Sequence, residues 1–173
     1  MTMSRRTRDE VVYALMRTWR ASRLQTDLLD DAAFHKIGIN RTDGRCLDAL
    51  SEGPMPASVL AQACGISPNA LTTVVDRLAE RGLVERVKDP ADRRRVLVRL
   101  TPLADHVSQQ LYGPVVAWSL RNFEKYSTEE LALIEGFIDA GRRFQAEHMR
   151  YIAALDLSWE VPDSPAGGTP EPG

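Results

Sequence analysis

The chain has 173 residues, of which 43% are hydrophobic, and this length suits one domain with an appendage. The hydrophobic residues are scattered, with no apolar run near the roughly 18 residues that a membrane-spanning helix needs. The polar start MTMSRRTRDE lacks the apolar stretch of a signal peptide. The sequence therefore predicts a cytoplasmic protein without a membrane partner.

The formal net charge of -2 conceals an uneven distribution of charge. Residues 67–101 contain eight Lys or Arg and five acidic residues, a net charge of +3, and the rest of the chain has a net charge of -5. A basic patch on an acidic protein is typical of a module that meets a polyanion with one face. A solvated charged surface is the alternative that charge alone leaves open.

Hydrophobic periodicity predicts three helices in the first part of the chain. Apolar positions near a 3.6-residue period indicate a first helix over residues 9–33. The polar segment 40–42 precedes a second helix, which ends at Gly53 and Pro54. The segment PASVLAQAC predicts a short third helix that Gly65 breaks.

The segment SPNALTTVVDRLAERG has strong signals for both ends of a fourth helix. Ser67 suits the N-cap, Pro68 the first helical position and Gly82 a left-handed C-terminal residue. Beyond it the apolar period changes to two, so LVERV and RVLVRL predict two strands joined by the turn KDPADRR in a β-hairpin,.

Two long helices are predicted after the hairpin. The first begins with Thr101 as N-cap, and we expect Gly113 and Pro114 to kink or break it. Ser127 and Glu130 form a capping box for the last helix. From residue 161 the segment VPDSPAGGTPEPG has too little apolar surface to offset ordering entropy and is predicted to be disordered.

Two short helices joined by a turn with Gly and followed directly by a β-hairpin make a winged helix-turn-helix. On the fourth helix an apolar stripe is expected to pack on the body of the domain; it comprises Leu71, Val74, Val75 and Leu78,. The opposite face presents short polar side chains suited to the major groove, with Arg77 placed for the phosphate backbone; these are Asn69, Thr72, Thr73 and Asp76,. An ordinary amphipathic surface helix is the alternative, which the following wing disfavours.

The wing tip contains three consecutive arginines, Arg93 to Arg95. An Arg at a hairpin tip can reach the minor groove while its neighbours meet flanking phosphates. We expect Asp89 and Asp92 to accept hydrogen bonds from backbone amides two residues on, and Asp92 to pair with Arg94 and hold it extended. A solubilising loop is the alternative reading of the triplet.

The segment LAQACGISPNALTTVVDRLAERGLVERVKDPADRRRVLVRLTPLA resembles the MarR (multiple antibiotic resistance regulator) family of transcription factors. The most specific element is DPADRRR with the later LT, and a weaker resemblance covers residues 9–155. The resemblance implies a homodimer that reads a palindromic operator, a recognition helix from Ser67 to Arg77, Asp92 and Arg94 as a wing pair, and Arg94 in the minor groove. Pro56 stands where the family often has a capping Ser or Thr, so an irregular start of the third helix is expected.

The predicted fold is mainly α with a small β-hairpin wing, in which a winged helix-turn-helix lobe is joined to a helical dimerisation region. The predicted parts are an N-terminal dimerisation helix (1–36), the DNA-binding lobe (37–101), C-terminal dimerisation helices (102–157) and a disordered tail (158–173). Long helices with large apolar side chains outside the lobe also favour a dimer, because one small lobe cannot cover them. These side chains include Trp19, Trp118, Phe123, Phe137, Phe144, Tyr151 and Ile152.

The function predicted is that of a sequence-specific DNA-binding regulator, expected to repress transcription and to be released by a small-molecule effector. The expected partners are double-stranded DNA, a second copy of the chain and a small aromatic or lipophilic effector, with no cofactor. No phosphate-binding Gly loop and no GxSxG or HExxH motif supports an enzyme. The predicted DNA contacts are Ser67, Pro68, Asn69, Thr72, Thr73, Arg77, Asp92, Arg93, Arg94 and Arg95.

The effector and the sensing chemistry are less specified by the sequence. The candidate effector-pocket residues are Trp19, Phe34, His35, His106 and Tyr112, with core or dimer-interface positions as the alternative. A metal-responsive regulator would have Asp30, Asp31, His35 and His106 as candidate ligands, although no metal site is predicted. Cys46 and Cys64 are expected to be small core residues without a disulfide, and an oxidation-sensing Cys46 is the alternative.

A winged helix that serves only protein interaction or dimerisation is the remaining alternative. Such a module is expected to have an apolar wing and an apolar recognition face. In this chain both segments are polar, and the wing is rich in arginine. DNA binding is therefore the favoured reading.

Overall fold

The computed structural model describes residues 6–156, so the predicted disordered tail lies outside the described residues. The elements in chain order are α1 (Arg8–Ile37), α2 (Arg41–Ser51), β1 (Met55–Pro56), α3 (Ala57–Cys64), α4 (Pro68–Glu80), β2 (Val84–Lys88), β3 (Val96–Leu100), α5 (Pro102–Phe123) and α6 (Thr128–Ala154). The chain divides into two compact units, one ending at Ala117 and the other beginning at Trp118. The mainly helical fold with a small wing sheet is confirmed.

The first two helices are bounded by local capping. Thr7 and Glu10 form a capping box at the start of α1, and Gly38, with φ of 69°, ends it, in the left-handed region that glycine adopts without a Cβ clash. The helix therefore runs four residues beyond the predicted end. Asn40 is the N-cap of α2, and its side chain accepts hydrogen bonds from the amides of Thr42 and Asp43.

The predicted ends of α4 are confirmed. The Oγ atom of Ser67 accepts from the amide of Ala70 at 3.2 Å, and Pro68 is the first helical residue. Gly82 has φ of 72°. In contrast, α3 follows Pro56 without a side-chain cap, which is the irregular start that the sequence predicts.

The sheet has three strands in the order β1-β3-β2 rather than the two of a simple hairpin. Strands β2 and β3 pair antiparallel as predicted, and β1 adds Met55 opposite Val98 and Pro56 opposite Leu97. A two-residue strand has no apolar period to detect. Its Pro, which cannot donate a backbone hydrogen bond, is tolerated at the edge of a sheet.

The core of the first unit forms where α2, α3, α4 and the sheet meet. Its largest fully buried apolar side chains are Leu60, Leu71, Leu78, Val75 and Val98. Both cysteines are buried there as expected, and their Sγ atoms lie 3.1 Å apart. The sequence does not reveal this proximity, because the two residues are 18 positions apart.

Helix α5 runs without interruption through Gly113 and Pro114. Of the predicted kink or break, the break is therefore wrong, and the kink stays a prediction. Pro removes one amide donor and crowds the carbonyl four residues earlier. In a long helix the hydrogen bonds on either side of this defect keep the helix continuous. Pro114 is therefore an internal helical residue.

The second unit contains α6, which begins with the predicted capping box. The amide of Ser127 donates to Glu130 Oε2 at 2.8 Å, and the amide of Glu130 donates to Ser127 Oγ at 3.2 Å. No residue of α6 is buried within the described chain. Among residues 6–156, no helix is both long and apolar enough to cross a membrane.

Candidate nucleic-acid interface

Helix α4 separates an apolar face from a polar face, as its sequence predicts. The apolar stripe is buried in the core and comprises Leu71, Val74, Val75 and Leu78. The opposite face is exposed and contains Ser67, Pro68, Asn69, Thr72 and Thr73. This polar face begins at the N-terminus of the helix, where the positive end of the helix dipole favours phosphate.

The polar groups of this face remain available to a ligand. The hydroxyl of Thr72 donates to the carbonyl of Pro68 at 3.2 Å, and that of Thr73 donates to the carbonyl of Asn69 at 3.5 Å. Both hydroxyl oxygens can still accept. The Asn69 carboxamide forms no hydrogen bond to another described residue. An amide with free donors and acceptors is the group that reads base edges in the major groove.

Ion pairs join α4 to the wing and compensate part of the basic patch. Arg86 of β2 pairs with Asp76 of α4 at 2.6 Å, and Arg99 of β3 pairs with Glu85 across the hairpin at 2.9 Å. Arg81 donates to the carbonyl of Gly38 at 2.6 Å. Asp76 and Glu85 compensate the charges of Arg86 and Arg99, whereas Arg81 donates to a neutral carbonyl and keeps its charge.

At the tip of the wing the arginines are exposed and mostly unpaired. The side chains of Arg93 and Arg94 form no ion pair with another described residue. The single link of Arg95 is a long one, 3.9 Å from Nε to Asp92 Oδ2. The wing tip therefore carries three adjacent arginines of which none has a close carboxylate partner among the described residues.

The acidic residues of the wing shape its turn, as the sequence predicts. Asp89 Oδ1 accepts from the amide of Ala91 at 2.8 Å, and Asp92 Oδ1 accepts from the amide of Arg94 at 3.1 Å. Backbone hydrogen bonds close the loop, from the amide of Asp89 to the carbonyl of Arg95 and from the amide of Arg95 to the carbonyl of Asp92. These bonds present the arginine triplet at the tip.

The predicted ion pair between Asp92 and Arg94 is wrong. Asp92 holds Arg94 through the backbone amide, and its ion pair is with Arg95. A tight turn brings residues three apart close together, which favours Arg95 as the partner. The guanidinium of Arg94 is left without an acidic partner among the described residues.

Arg77 has a role that the sequence does not predict. Its Nε donates to Asp43 Oδ2 at 3.0 Å, and its Nη2 donates to Asp43 Oδ1. Asp43 is completely buried and also accepts from the amide of Asn40 at 3.1 Å. This bidentate pair joins α2 to α4 and raises the pKa of Arg77, chiefly through the hydrogen bond to Asp43.

The pair uses one edge of the guanidinium, formed by Nε and Nη2. We therefore assign Arg77 a structural role and leave it out of the proposed DNA contacts, although its predicted contact with the phosphate backbone stays a prediction. The sequence does not single out Asp43 as the partner of Arg77, because an acidic residue at this position is already explained by the capping box of α2. Its partner is 34 positions away, so no local spacing connects them.

A small cavity of about 90 Å³ lies in the first unit. Phe34 and Tyr112 line it as predicted, and a Cβ atom at Gly44 would overlap the Phe34 ring, so glycine lets that ring pack against α2. The full lining comprises Phe34, Ile37, Ile39, Leu47, Asp48, Ser51, Leu83, Leu100, Ala104, Val107, Ser108, Leu111 and Tyr112.

Three predicted pocket residues, Trp19, His35 and His106, do not line this cavity. His35 borders a separate depression with Asp31, and Nε2 of His106 lies 3.0 Å from Nε2 of Gln110. Neighbouring helical residues point about 100° apart. Phe34 can therefore face the cavity while His35 does not.

Two acidic residues give the cavity its electrostatic character. The hydroxyl of Tyr112 donates to Asp30 Oδ1 at 3.1 Å. Burial, followed by the hydrogen bond to Asp30, raises the pKa of Tyr112 to about 12. Burial and the nearby charge of Asp30 raise the pKa of Asp48 above its ordinary value. Sequence reasoning did not assign Asp30 or Asp48 to the pocket.

The metal and oxidation alternatives have no support in the described part of the chain. Residues 6–156 contain no group of three or more His, Cys, Asp or Glu that could hold a metal ion, and Asp31 is paired with Arg41 at 2.6 Å. Burial raises the pKa of Cys46 to about 12. An oxidation sensor needs an accessible thiol with a low pKa, which is the opposite arrangement.

Comparison with known proteins agrees with this geometry. Residues 37–95 match the model of the MarR family. The uncharacterised HTH-type transcriptional regulator YcgE of Bacillus subtilis is 34% identical over 151 residues, which cover 86% of this chain and 97% of that protein.

Solved structures share the fold. The RV1404 protein of Mycobacterium tuberculosis has 27% identity and a TM-score of 0.55, with 80% of this chain and 96% of that chain covered. NadR in complex with 4-hydroxyphenylacetate has 23% identity and a TM-score of 0.52, with 81% and 96% covered. The chain belongs to the MarR family of winged helix-turn-helix, DNA-binding transcriptional regulators.

Proposed function

We propose that the protein acts in the cytoplasm as a homodimeric repressor, which binds a palindromic operator and is released by a small molecule. The observation that carries the proposal is the concentration of unpaired arginine at the wing tip beside an exposed polar face on α4. The proposed major-groove contacts are Ser67, Pro68, Asn69, Thr72 and Thr73. In the wing, Arg94 enters the minor groove, Arg93 and Arg95 meet phosphates, and Asp92 shapes the turn.

The proposed dimer follows from exposed apolar side chains on the long helices. None of the 27 residues of α6 is buried. Three of its large apolar side chains, Leu133, Phe144 and Met149, are 75%, 62% and 65% exposed. Apolar surface of this kind marks an interface. A second copy would cover it and place two recognition helices about 34 to 36 Å apart, one turn of DNA.

The proposed effector site is the cavity that Phe34 and Tyr112 line. It is enclosed by apolar residues of α1, α2 and α5 and by the strand residue Leu100, so a bound molecule would contact several elements of the first unit at once. NadR, which shares the fold, has been solved with a small aromatic molecule. A ligand that binds one arrangement of these elements better than another would shift operator affinity.

The test is a DNA-binding titration over a salt series with the DNA upstream of the protein's own gene. Replacing Arg93, Arg94 and Arg95 together with Ala should weaken binding and flatten the slope of log K against log salt by about 0.9 for each phosphate that is no longer neutralised. Lys125→Ala removes one positive charge outside the lobe and should leave the slope unchanged. Equal affinity of the triple variant and the unaltered protein at every salt concentration would refute the wing assignment.

A further inference from the structure

We propose that the cavity of the first unit selects an organic cation, with a small alkyl or single-ring body and an ammonium or amidinium group at Asp48. This inference rests on the proposed effector site and specifies the chemical class of its ligand. The geometry points to a cation through three features: an apolar lining, an acidic rim and hydroxyl donors that are already in use.

The apolar lining accounts for the body of the ligand. Nine of the thirteen lining residues are apolar, and the polar ones are Asp48, Ser51, Ser108 and Tyr112. The volume of about 90 Å³ is below the roughly 300–1,000 Å³ of pockets for drug-sized ligands. A short alkyl chain or a single ring suits this space better than a fused ring system.

The charge at the rim is negative and is only partly compensated. Asp48 is exposed at the cavity, and its carboxylate forms no hydrogen bond or ion pair with another described residue. Asp30 and Asp48 line the same neighbouring depression, and the charge of Asp30 raises the pKa of Asp48, so the two carboxylates repel each other. A cation between them relieves this repulsion, whereas an anion increases it.

The neighbouring depression compensates this negative charge only in part. It shares Phe34 and Asp48 with the cavity and adds Asp27, Asp30, Arg41 and Arg45. Arg41 is paired with Asp31 at 2.6 Å. Three carboxylates therefore line the depression with two guanidinium groups, of which one is already paired elsewhere, so its lining is net negative.

The hydroxyl groups of the cavity are poorly placed to receive an anion. The hydroxyl of Tyr112 donates to Asp30 at 3.1 Å, and that of Ser51 donates to the carbonyl of Asp48 at 2.6 Å. Among the hydroxyls that line the cavity, only Ser108 keeps a donor without a described acceptor. A carboxylate ligand needs several donors, whereas an ammonium ligand needs the acceptors that Asp48 and the Tyr112 oxygen provide.

The test compares three ligands of similar shape, benzylammonium, benzyl alcohol and benzoate, by calorimetric titration of the full-length protein without DNA at neutral pH. We expect benzylammonium to bind more tightly than benzoate by about tenfold or more, as a charge-assisted hydrogen bond implies. Asp48→Asn should weaken benzylammonium binding by a similar factor and leave benzyl alcohol unchanged. Asp105→Asn, on α5 but outside the lining, is the matched control.

Thermal unfolding of each variant checks that it is folded, and Asp30→Asn provides a second variant with the same expected direction. Each of three results would overturn the proposal. Benzoate could bind at least as tightly as benzylammonium, none of the three ligands could bind, or the ratio of the benzylammonium and benzoate affinities could be unchanged in both variants. DNA binding is measured separately. If benzylammonium shows no preference but operator binding is intact, the cation site alone is rejected. If the protein does not bind DNA, the proposed function is rejected.

Discussion

At the residue scale, the buried pair of Asp43 and Arg77 shows how one side chain can look functional and be structural. Asp43 is fully buried, and the Arg77 side chain is 34% exposed. Removing one partner from a buried ion pair leaves an uncompensated charge, which costs more than the pair contributes. The pair therefore fixes the position of α4 against α2 and with it the orientation of the exposed polar face of α4.

Replacing Arg77 with Leu should lower the free energy of unfolding by about 3 kcal/mol, because Asp43 loses its bidentate partner inside the lobe. Urea unfolding followed by circular dichroism measures this decrease. Arg99→Leu, which breaks the exposed pair with Glu85, is the matched control and should cost less than about 1 kcal/mol. If Arg77→Leu lowers the free energy of unfolding no more than the control does and also flattens the salt dependence of DNA binding, Arg77 would be a DNA contact.

At the element scale, the sequence predicts what local chemistry determines. The caps at Ser67 and Ser127, the left-handed Gly82 and the turns at Asp89 and Asp92 each depend on groups within three residues of one another, so their residue types suffice. Strand β1, the partner of Arg77 and the pocket role of Asp48 depend on contacts between distant segments. No periodicity or spacing encodes those contacts in a single sequence.

The wing turn allows the two functions of Asp92 to be separated. Asp92→Ala removes both the acceptor for the Arg94 amide and the ion pair with Arg95, whereas Asp92→Asn keeps a side-chain oxygen for the amide. We expect Asp92→Ala to weaken operator binding several-fold because the wing tip loses its shape, with unfolding free energy changed by less than about 0.5 kcal/mol at this exposed site. Fluorescence anisotropy with operator DNA measures the affinity.

Asp92→Asn is the control for that experiment and should bind DNA nearly as well as the unaltered protein. If it weakened binding as much as Asp92→Ala, the ion pair with Arg95 would be the important interaction. If neither variant changed the affinity, the hydrogen-bonded turn would have no part in presenting the arginines.

At the scale of the whole molecule, the winged lobe and the long helices carry different kinds of surface. The lobe has a buried core beneath a polar, arginine-bearing face. Helices α1 and α6 expose large apolar side chains in the single chain, among them Tyr13, Met16 and Phe144. The sequence predicts this contrast, because large apolar residues on long helices exceed what a small lobe can cover. If the chain dimerises through these helices, its apparent affinity for the operator should depend on the protein concentration.

Replacing Phe144 with Glu should shift the protein from dimer to monomer, because it places a charge on the exposed apolar face of α6. Phe144 is 62% exposed. It stacks on His148 of the same helix, with ring centroids 5.5 Å apart. Because the side chain is exposed and this contact is local, the change should spare the fold of a single chain. Light scattering at micromolar concentration measures the mass, and operator titration should show weaker binding as the second half-site is lost.

Gln145→Glu adds the same charge at the adjacent exposed position and serves as the control. A monomeric mass for the unaltered protein would reject the dimer, and a dimeric mass for Phe144→Glu would place the interface elsewhere.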